Sequence, residues 1–274
     1  MIELENITKR FADGQRALTV LDGLSLKVDE GEFIAITGES GAGKTTLLNI
    51  LGTLVSPDEG RYLIREEEVS TDKSSSKRLR ERLRERLRDR LRVDDGTSGK
   101  ATGRRDSGNG RDSGNMGDGT SEMRLCKLRN KEIGFVYQDH QLLPQFTVWQ
   151  NILLPTLATK SSSTEEEQRR AMELLEFMGI VALKDSHVTQ LSGGEQTRVA
   201  ICRALINQPA ILLADEPTGQ LDASNAKTIA ALFQQVNTQL HTTIIMATHS
   251  REMAKVAQKI FRLADGKLQL IMNN

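Results

Sequence analysis

Short apolar segments alternate with amphipathic segments along most of the chain, which predicts a parallel β-sheet covered by helices. Phe33–Thr37 begins with four consecutive apolar residues, as expected for a strand that is buried on both faces. Residues 210–214 and 243–248 have a similar composition and predict two further buried strands. Between these two strands, residues 223–236 are expected to form a helix. The predicted fold class is therefore α/β.

The spacing of apolar residues predicts two more helices. One follows a glycine-rich loop and contains Leu47 and Leu48. The other covers residues 164–180 and places Leu174 and Leu175 at core spacing. Three glutamates occupy its first turn, where they suit the positive end of the helix dipole. We interpret them as charges that stabilise the N-terminus of the helix, and not as metal ligands.

An apolar-poor stretch interrupts this pattern at residues 72–122. It contains no Phe, Tyr, Trp or Ile and carries two short sequence repeats. Such a segment cannot offset the entropy of its own ordering. We therefore expect an insertion, largely disordered in its Gly/Ser-rich second half, within one domain spanning residues 1–274. The flanking residues 60–64 and 133–137 are expected to be neighbouring strands that a short loop could rejoin.

Charge and cysteine content narrow the possible functions. Lys plus Arg and Asp plus Glu each number 37 among 274 residues, so no overall basic excess indicates nucleic acid as a partner. Two cysteines, Cys126 and Cys202, are too few for a disulfide framework and fit a reducing compartment. No apolar run approaches the ~20 residues that cross a bilayer. We expect a soluble, non-secreted chain that reaches a membrane only through an embedded partner.

The glycine-rich loop after the first buried strand carries the phosphate-loop pattern in the strand-loop-helix context that this pattern requires. Its glycines let backbone N–H groups surround phosphate oxygens at a helix N-terminus. Lys44 is expected to neutralise phosphate charge, and Thr45 to ligate Mg²⁺. The predicted nucleotide-binding residues are Gly38, Glu39, Ser40, Gly41, Ala42, Gly43, Lys44, Thr45 and Thr46.

Two adjacent carboxylates end the buried strand at residues 210–214, where an α/β sheet presents its ligands. Phosphoryl transfer needs a carboxylate for Mg²⁺ and a group that prepares the attacking water. Asp215 is the candidate metal partner, and Glu216 is the candidate general base. Taken alone, the pair is equally consistent with a strand that ends in two solvated acids, but the phosphate loop favours the catalytic interpretation.

A third motif, Ser192, Gly193, Gly194 and Glu195, precedes a predicted helix and offers hydroxyl and backbone donors to an anion. By itself it could be only a helix N-cap. Together with the phosphate loop and the Asp-Glu pair, in this order, it resembles the signature of the ATP-binding subunits of ABC transporters. This resemblance covers nearly all of the chain outside the insertion.

The resemblance implies a phosphate-loop NTPase of ABC type, with a mainly parallel sheet core, an antiparallel β-subdomain and a helical signature subdomain at about 140–205. It also implies that two subunits enclose two ATP molecules. Each ATP then contacts the phosphate loop of one subunit and the signature residues of the other. An active ATPase that uses ATP and Mg²⁺ is the expected activity.

Further roles follow from the same resemblance. Gln138 matches a glutamine that contacts Mg²⁺ and couples to the membrane partner, and His249 matches a histidine that senses the γ-phosphate. Asp222 matches a loop that crosses the dimer interface. Phe11 lies near the position of an aromatic residue that stacks on adenine, although core packing is an alternative for it. The three other histidines, His140, His187 and His241, match nothing and are expected to lie on the surface.

Four residues depart from the usual family sequence. Glu195 and Thr197 replace common glutamines, Cys202 replaces a common alanine, and Gln220 replaces a common asparagine. None of these changes removes a group that is assigned to the chemistry. We therefore expect an active enzyme and not a degenerate regulatory copy, with Cys202 a small packed helix residue.

The residues after Gln138 resemble the branch that contains lipoprotein-release, macrolide-export and cell-division ATPases. They include residues 142–144 and 151–155, which in this family meet the permease. The implied partners are membrane-spanning permease subunits and a second ATP-binding subunit, on the cytoplasmic face of the inner (plasma) membrane. The alternative is a soluble ABC-type ATPase that acts on DNA or ribosomes. The resemblance to this branch implies export or extraction of a lipoprotein, peptide or hydrophobic cargo, but the sequence does not identify which.

A basic run at residues 77–92 contains nine basic and three acidic side chains, a local charge of +6. Its leucines recur at i, i+4 spacing, which predicts a helix with a thin apolar stripe. A solvated surface helix is the simplest interpretation, and contact with anionic lipid beside the permease is the alternative. Nucleic-acid binding is disfavoured, because no aromatic side chain interleaves the arginines.

Overall fold

Two β-sheets organise the protein in the computed structural model, which describes residues 1–13, 16–69 and 121–273. Ten strands and seven α-helices lie in these residues. The strands are β1 (Ile2–Asp13), β2 (Arg16–Val28), β3 (Phe33–Thr37), β4 (Glu59–Ile64), β5 (Glu67–Glu68), β6 (Ile133–Val136), β7 (Ile211–Asp215), β8 (Thr243–Ala247), β9 (Lys259–Ala264) and β10 (Lys267–Asn273). The α-helices are α1 (Lys44–Leu51), α2 (Ser121–Glu132), α3 (Val148–Leu153), α4 (Glu165–Phe177), α5 (Gly193–Leu205), α6 (Ala223–Leu240) and α7 (Arg251–Ala254).

The larger sheet has six strands in the order β10-β9-β3-β8-β7-β6, and all neighbours pair in parallel except β9 and β10. Its central strands are buried on both faces. In β3, Phe33 and Ala35 belong to a core under the helices, whereas Ile34 and Ile36 belong to a second core under α1 and the smaller sheet. The continuous apolar runs of the sequence arise from this burial on two faces.

The smaller sheet is antiparallel, with strand order β2-β1-β4-β5. Its apolar side chains share one core with α1. On the opposite face of the large sheet, α3, α4, α5, α6 and α7 contribute to the other core. The mainly parallel sheet, the antiparallel sheet and the helices between β6 and β7 confirm the predicted fold class.

Most predicted elements are present with shifted ends. The helix predicted over 164–180 runs from Glu165 to Phe177 and stops before Gly179, whose φ of +67° does not continue a helix. The helix predicted over 223–236 extends to Leu240. Three short 3₁₀ helices, Leu154–Thr159, Val181–Leu183 and Val188–Gln190, also lie within the region 140–205 that was predicted to be helical.

One expectation about strand pairing is wrong. Residues 60–64 and 133–137 do contain strands, but β4 lies in the antiparallel sheet and β6 lies at the edge of the parallel sheet. They are therefore not neighbours, and α2 leads directly into β6. Most of the predicted insertion, including the basic run at 77–92, lies outside the described residues. The one-domain organisation and the insertion boundaries stay predictions.

Candidate functional site

The carboxyl ends of four adjacent parallel strands carry the candidate catalytic residues. In the sheet order β3, β8, β7, β6, they are followed by the phosphate loop, His249, Glu216 and Gln138, while Asp215 is the last residue of β7. Parallel strands present their ligands at this edge. The fold therefore brings together residues that are far apart in the chain.

The phosphate loop bends through two left-handed glycines, Gly41 at φ +80° and Gly43 at φ +100°. A Cβ atom on Gly43 would lie only 2.8 Å from Val20 Cγ1, so this position excludes larger residues. The helix that follows, α1, has no side-chain cap. By contrast, side chains cap α3, α4, α5, α6 and α7. The free N–H groups and positive dipole end of α1 therefore remain available to an anion.

Lys44 is nearly buried, with 8% of its surface exposed. Its Nζ donates hydrogen bonds to the carbonyl oxygens of Gly38 and Glu39 at 2.9 and 3.0 Å. The same nitrogen lies 3.7 Å from Glu216 Oε1. The ammonium group is thus held inside the loop, beside the candidate base, by neutral carbonyl groups.

Asp215 carries an unsatisfied oxygen at the centre of the site. The residue is 7% exposed, and its Oδ1 atom is buried without a hydrogen-bond partner. Burial raises the pKa of Asp215 above its usual value and Glu216 adds to the increase, whereas the hydrogen bond with Thr45 and the charge of Lys44 oppose it. An orphaned carboxylate oxygen beside a threonine hydroxyl fits the oxygen ligands that Mg²⁺ prefers.

Glu216 adopts a strained backbone conformation, with φ of +45°, and its N–H donates to Ala247 O at 2.9 Å. Its Oε2 accepts a hydrogen bond from the backbone N–H of His249 at 3.1 Å and lies 2.8 Å from His249 Nδ1. Two donors thus orient one carboxylate oxygen and leave the other facing Lys44. This geometry suits a general base that must be held in position.

The signature residues form a complete capping box at the start of α5. The Ser192 hydroxyl donates to Glu195 Oε2 at 2.7 Å, and hydrogen bonds from Ser192 lower the pKa of Glu195. Cβ atoms on Gly193 and Gly194 would approach Leu221 and Asn225 to 3.1 and 3.2 Å. Among the described residues, no hydrogen bond or ion pair joins this motif to the phosphate loop.

The remaining predicted site residues occupy different environments. Gln138 is exposed, and its Nε2 would lie 3.6 Å from a Cβ atom on Gly219. Asp222 caps α6, and hydrogen bonds from the backbone and side chain of Asn225, followed by the backbone N–H of Ser224, lower its pKa. Phe11 is 41% exposed and belongs to neither core, so core packing is the wrong alternative for it. Adenine stacking on Phe11 stays a prediction.

The predicted surface location is wrong for one of the three unmatched histidines. His187 and His241 are exposed as expected, but His140 is only 5% exposed, and burial lowers the pKa of its imidazole. Arg203 was not identified as relevant, although it contacts the same loop as His140. Cys202 is fully buried in α5, as predicted. No contiguous motif marks His140 or Arg203, because their partners lie more than 50 residues away.

The fold and the site define a phosphate-loop ATPase of the ATP-binding cassette class. Comparison with known families agrees, because the ABC transporter family matches residues 21–98 and 102–219. The chain belongs to the ABC transporter family. It is an ATP-binding subunit and an ABC-type ATPase, which confirms the predicted activity.

Curated relatives place the chain near the predicted branch. It is 38% identical over 268 residues to the lipoprotein-releasing system ATP-binding protein LolD of Bacteroides fragilis, covering 98% of this chain and 100% of that protein. It is 36% identical over 270 residues to the macrolide export ATP-binding/permease protein MacB of Syntrophobacter fumaroxidans. That match covers 98% of this chain and 31% of the relative.

Solved structures agree with the fold. The cassette MJ0796, in a dimeric post-hydrolysis state bound to ADP and Pi, superposes with a TM-score of 0.74 at 30% identity, over 100% of this chain and 99% of that one. A second dimeric MJ0796 structure, described as a bacterial ABC transporter cassette, gives a TM-score of 0.73 at 32% identity and covers 98% of this chain and 97% of that one. Within the described residues, no helix is both long and apolar enough to cross a membrane.

Proposed function

We propose that two copies of this chain enclose two ATP molecules and use their hydrolysis to drive a membrane permease that releases or exports lipoprotein or another hydrophobic cargo. The observation that supports this proposal is the separation, within one chain, of the phosphate-loop residues from the signature residues. The phosphate loop, Asp215, Glu216 and His249 converge at one sheet edge, whereas the signature has no polar link to them among the described residues. A second subunit would supply the missing half.

In this proposal the nucleotide phosphates lie against the uncapped start of α1. Backbone donors from Gly38 to Thr46 surround them, and Lys44 turns from two neutral carbonyls to the more strongly attractive phosphate charge. Glu216 takes a proton from the attacking water, and His249 holds the glutamate while facing the γ-phosphate. Phe11 offers an exposed aromatic face to the adenine ring.

Mg²⁺ would be held by Asp215, Thr45 and Gln138, together with phosphate oxygens and water. When bound, it neutralises phosphate charge. The buried, unpartnered Oδ1 of Asp215 supports this assignment, because such an oxygen is costly unless a ligand satisfies it.

We expect Asp215→Asn to raise the Mg²⁺ concentration needed for half-maximal ATP hydrolysis by about 10–100-fold, because it removes a charged oxygen ligand. Mg²⁺ titrations of phosphate release measure this shift. Nucleotide binding without metal provides a second readout, which the substitution should not weaken. An unchanged Mg²⁺ requirement would remove Asp215 from the metal site.

The permease is proposed to dock in a groove lined partly by α2 and partly by the 3₁₀ helix Leu154–Thr159. A cavity of about 500 Å³ lies beside the loop that follows Gln138. Its lining includes Leu54, Cys126, Tyr137, Leu154 and Pro155. These side chains mix apolar and polar character, as expected for a surface that receives one segment of a partner. Docking here would place the partner next to the glutamine loop.

Cys126 provides a direct test of this groove. It is exposed, whereas Cys202, the other cysteine, is fully buried and burial raises its pKa. We expect a maleimide to label Cys126 in the isolated subunit and to react much more slowly in the complex with the permease. A Cys126→Ser variant controls for reaction at Cys202. Equal labelling rates with and without the permease would place the docking surface elsewhere.

The proposed permease also implies where the subunit lies and what the complex transports. A subunit that docks on a permease lies on the cytoplasmic face of the inner membrane without entering it. The relatives named as lipoprotein-releasing proteins support a lipoprotein as the cargo. Lipid contact by residues 77–92, which lie outside the described residues, stays a prediction.

A further inference from the structure

Hydrogen bonds join the loop that follows Gln138 to the signature helix α5 at two points. Arg203, in the last turn of α5, donates hydrogen bonds to the carbonyl oxygens of His140 and Gln141, both at 2.6 Å. Near the first turn of α5, His140 Nε2 lies 2.8 Å from Thr197 Oγ1. Both His140 and Thr197 are buried. The loop and the helix are therefore joined at two points on the helix, Thr197 and Arg203.

The bond between His140 and Thr197 continues to the signature itself. The Thr197 hydroxyl donates to the carbonyl oxygen of Gly193 at 3.0 Å, so its proton is already used. It must then accept the hydrogen bond from His140 Nε2–H. A continuous path thus runs from His140 through Thr197 to Gly193, the residue after Ser192.

The backbone dihedral angles indicate that these hydrogen bonds hold the loop in a strained conformation. His140 and Gln141 have φ values of +58° and +47°, which are unfavourable for residues other than glycine. Two consecutive residues in this region persist only where surrounding contacts over-determine them. The contacts from Arg203 and Thr197 fulfil that role. The result is a rigid connection two residues after Gln138.

We propose that His140 and Thr197 are positioning residues that form a latch between the glutamine loop and the signature. The latch, defined as the hydrogen bond between these two side chains, makes Ser192 follow any movement of Gln138. The inference rests on the proposed function, in which Gln138 faces the ATP of its own subunit and Ser192 faces the ATP of the partner. Each subunit would thereby convey the state of its own site to the other.

Loss of the latch should weaken closure of the dimer and leave binding to the phosphate loop intact. Without it, the start of α5 samples more orientations relative to Gln138, and closure must restrict them. A typical hydrogen bond corresponds to about a fivefold change in an equilibrium. We therefore expect closure to require about fivefold more ATP.

The experiment measures ATP-dependent dimer formation by gel filtration in a Glu216→Gln background, where the closed dimer should accumulate. Thr197→Val keeps the shape of the side chain but removes the hydroxyl, and Thr197→Ser restores it. Thr238→Val is a matched control, because Thr238 makes the same bond to a carbonyl oxygen four residues earlier, to Gln234 at 2.9 Å, near the far end of α6. ADP binding to the monomer and thermal unfolding are recorded for each variant.

Thr197→Val should raise the ATP concentration at half-maximal dimerisation about fivefold with unchanged ADP affinity, whereas Thr197→Ser and Thr238→Val should match the parent. His140→Phe should give the same shift, and the double variant should be no worse than either single variant. If Thr197→Val does not fold, His140→Phe provides the same comparison from the other side of the bond.

Two results would overturn the latch while leaving the proposed function in place. One is a normal ATP midpoint in Thr197→Val, even if its melting temperature falls, since the bond would then be only structural. The other is an additive effect in the double variant, since the two side chains would then act separately. Failure of the parent itself to dimerise with ATP would instead contradict the proposed function.

Discussion

Replacing Glu216 with glutamine is expected to reduce ATP turnover by about 10²–10⁴-fold, because an amide cannot accept the proton of the attacking water. The substitution keeps the size of the side chain and one oxygen acceptor. The backbone N–H of His249 can still donate to that oxygen, so the strained turn at residue 216 should persist. ATP should therefore bind and remain bound, and the protein should accumulate as a closed dimer.

Single-turnover phosphate release and direct nucleotide binding separate this result from a binding defect. Lys44→Ala is the matched comparison, because it removes the ammonium group beside the same carboxylate and should lose nucleotide affinity as well as turnover. If Glu216→Gln hydrolysed ATP at the normal rate, another group would be the base. If it failed to bind ATP, the residue would have a structural role in the nucleotide pocket.

Mixing Ser192→Arg and Lys44→Ala subunits is expected to restore activity that neither variant has alone. In a mixed dimer both substitutions fall on one composite site, and the other site combines an intact phosphate loop with an intact signature. Random pairing of equal amounts should then recover roughly a quarter of the normal rate, because half of the dimers are mixed and each has one intact site.

Ser192→Arg also breaks a helix cap, so its effect needs a matched control. Thr164 forms an equivalent capping box with Glu167 at the start of α4. Thr164→Arg should lose comparable helix stability, about 1 kcal/mol, without losing turnover. Recovery in the mixture, with a normal rate for Thr164→Arg, supports sharing of the sites. Absence of any recovery would argue against sharing, unless hydrolysis requires both sites to be intact.

The sequence predicts the elements whose signals are local. The strands β3, β7 and β8 are continuous apolar runs, and burial on both faces gives them an unambiguous pattern. Pairing is a different problem. β4 and β6 flank the same insertion but belong to different sheets, and nothing in either segment specifies its partner. The helix α2 was missed because its polar, basic sequence has a weak apolar stripe.

The features of the candidate site likewise divide into those with a local sequence signal and those that depend on the fold. The phosphate loop, the Asp-Glu pair and the signature are contiguous motifs, so their residues were identified from the sequence. The orphaned oxygen of Asp215 and the strained φ of Glu216 depend on how neighbouring strands align, which no motif encodes. The buried His140 forms its hydrogen bond with Thr197, a residue 57 positions away and one that departs from the usual family sequence. Such pairs appear only when the fold is known.

The dependence of phosphate release on subunit concentration tests the central claim, that each ATP site is shared between two subunits, most directly. Mg²⁺-ATP is kept saturating while the purified subunit is diluted, and sedimentation reports its oligomeric state. Shared sites predict a rate per subunit that falls in proportion to concentration once the dimer dissociates. A constant rate per subunit in a sample that sediments as a monomer would contradict the account.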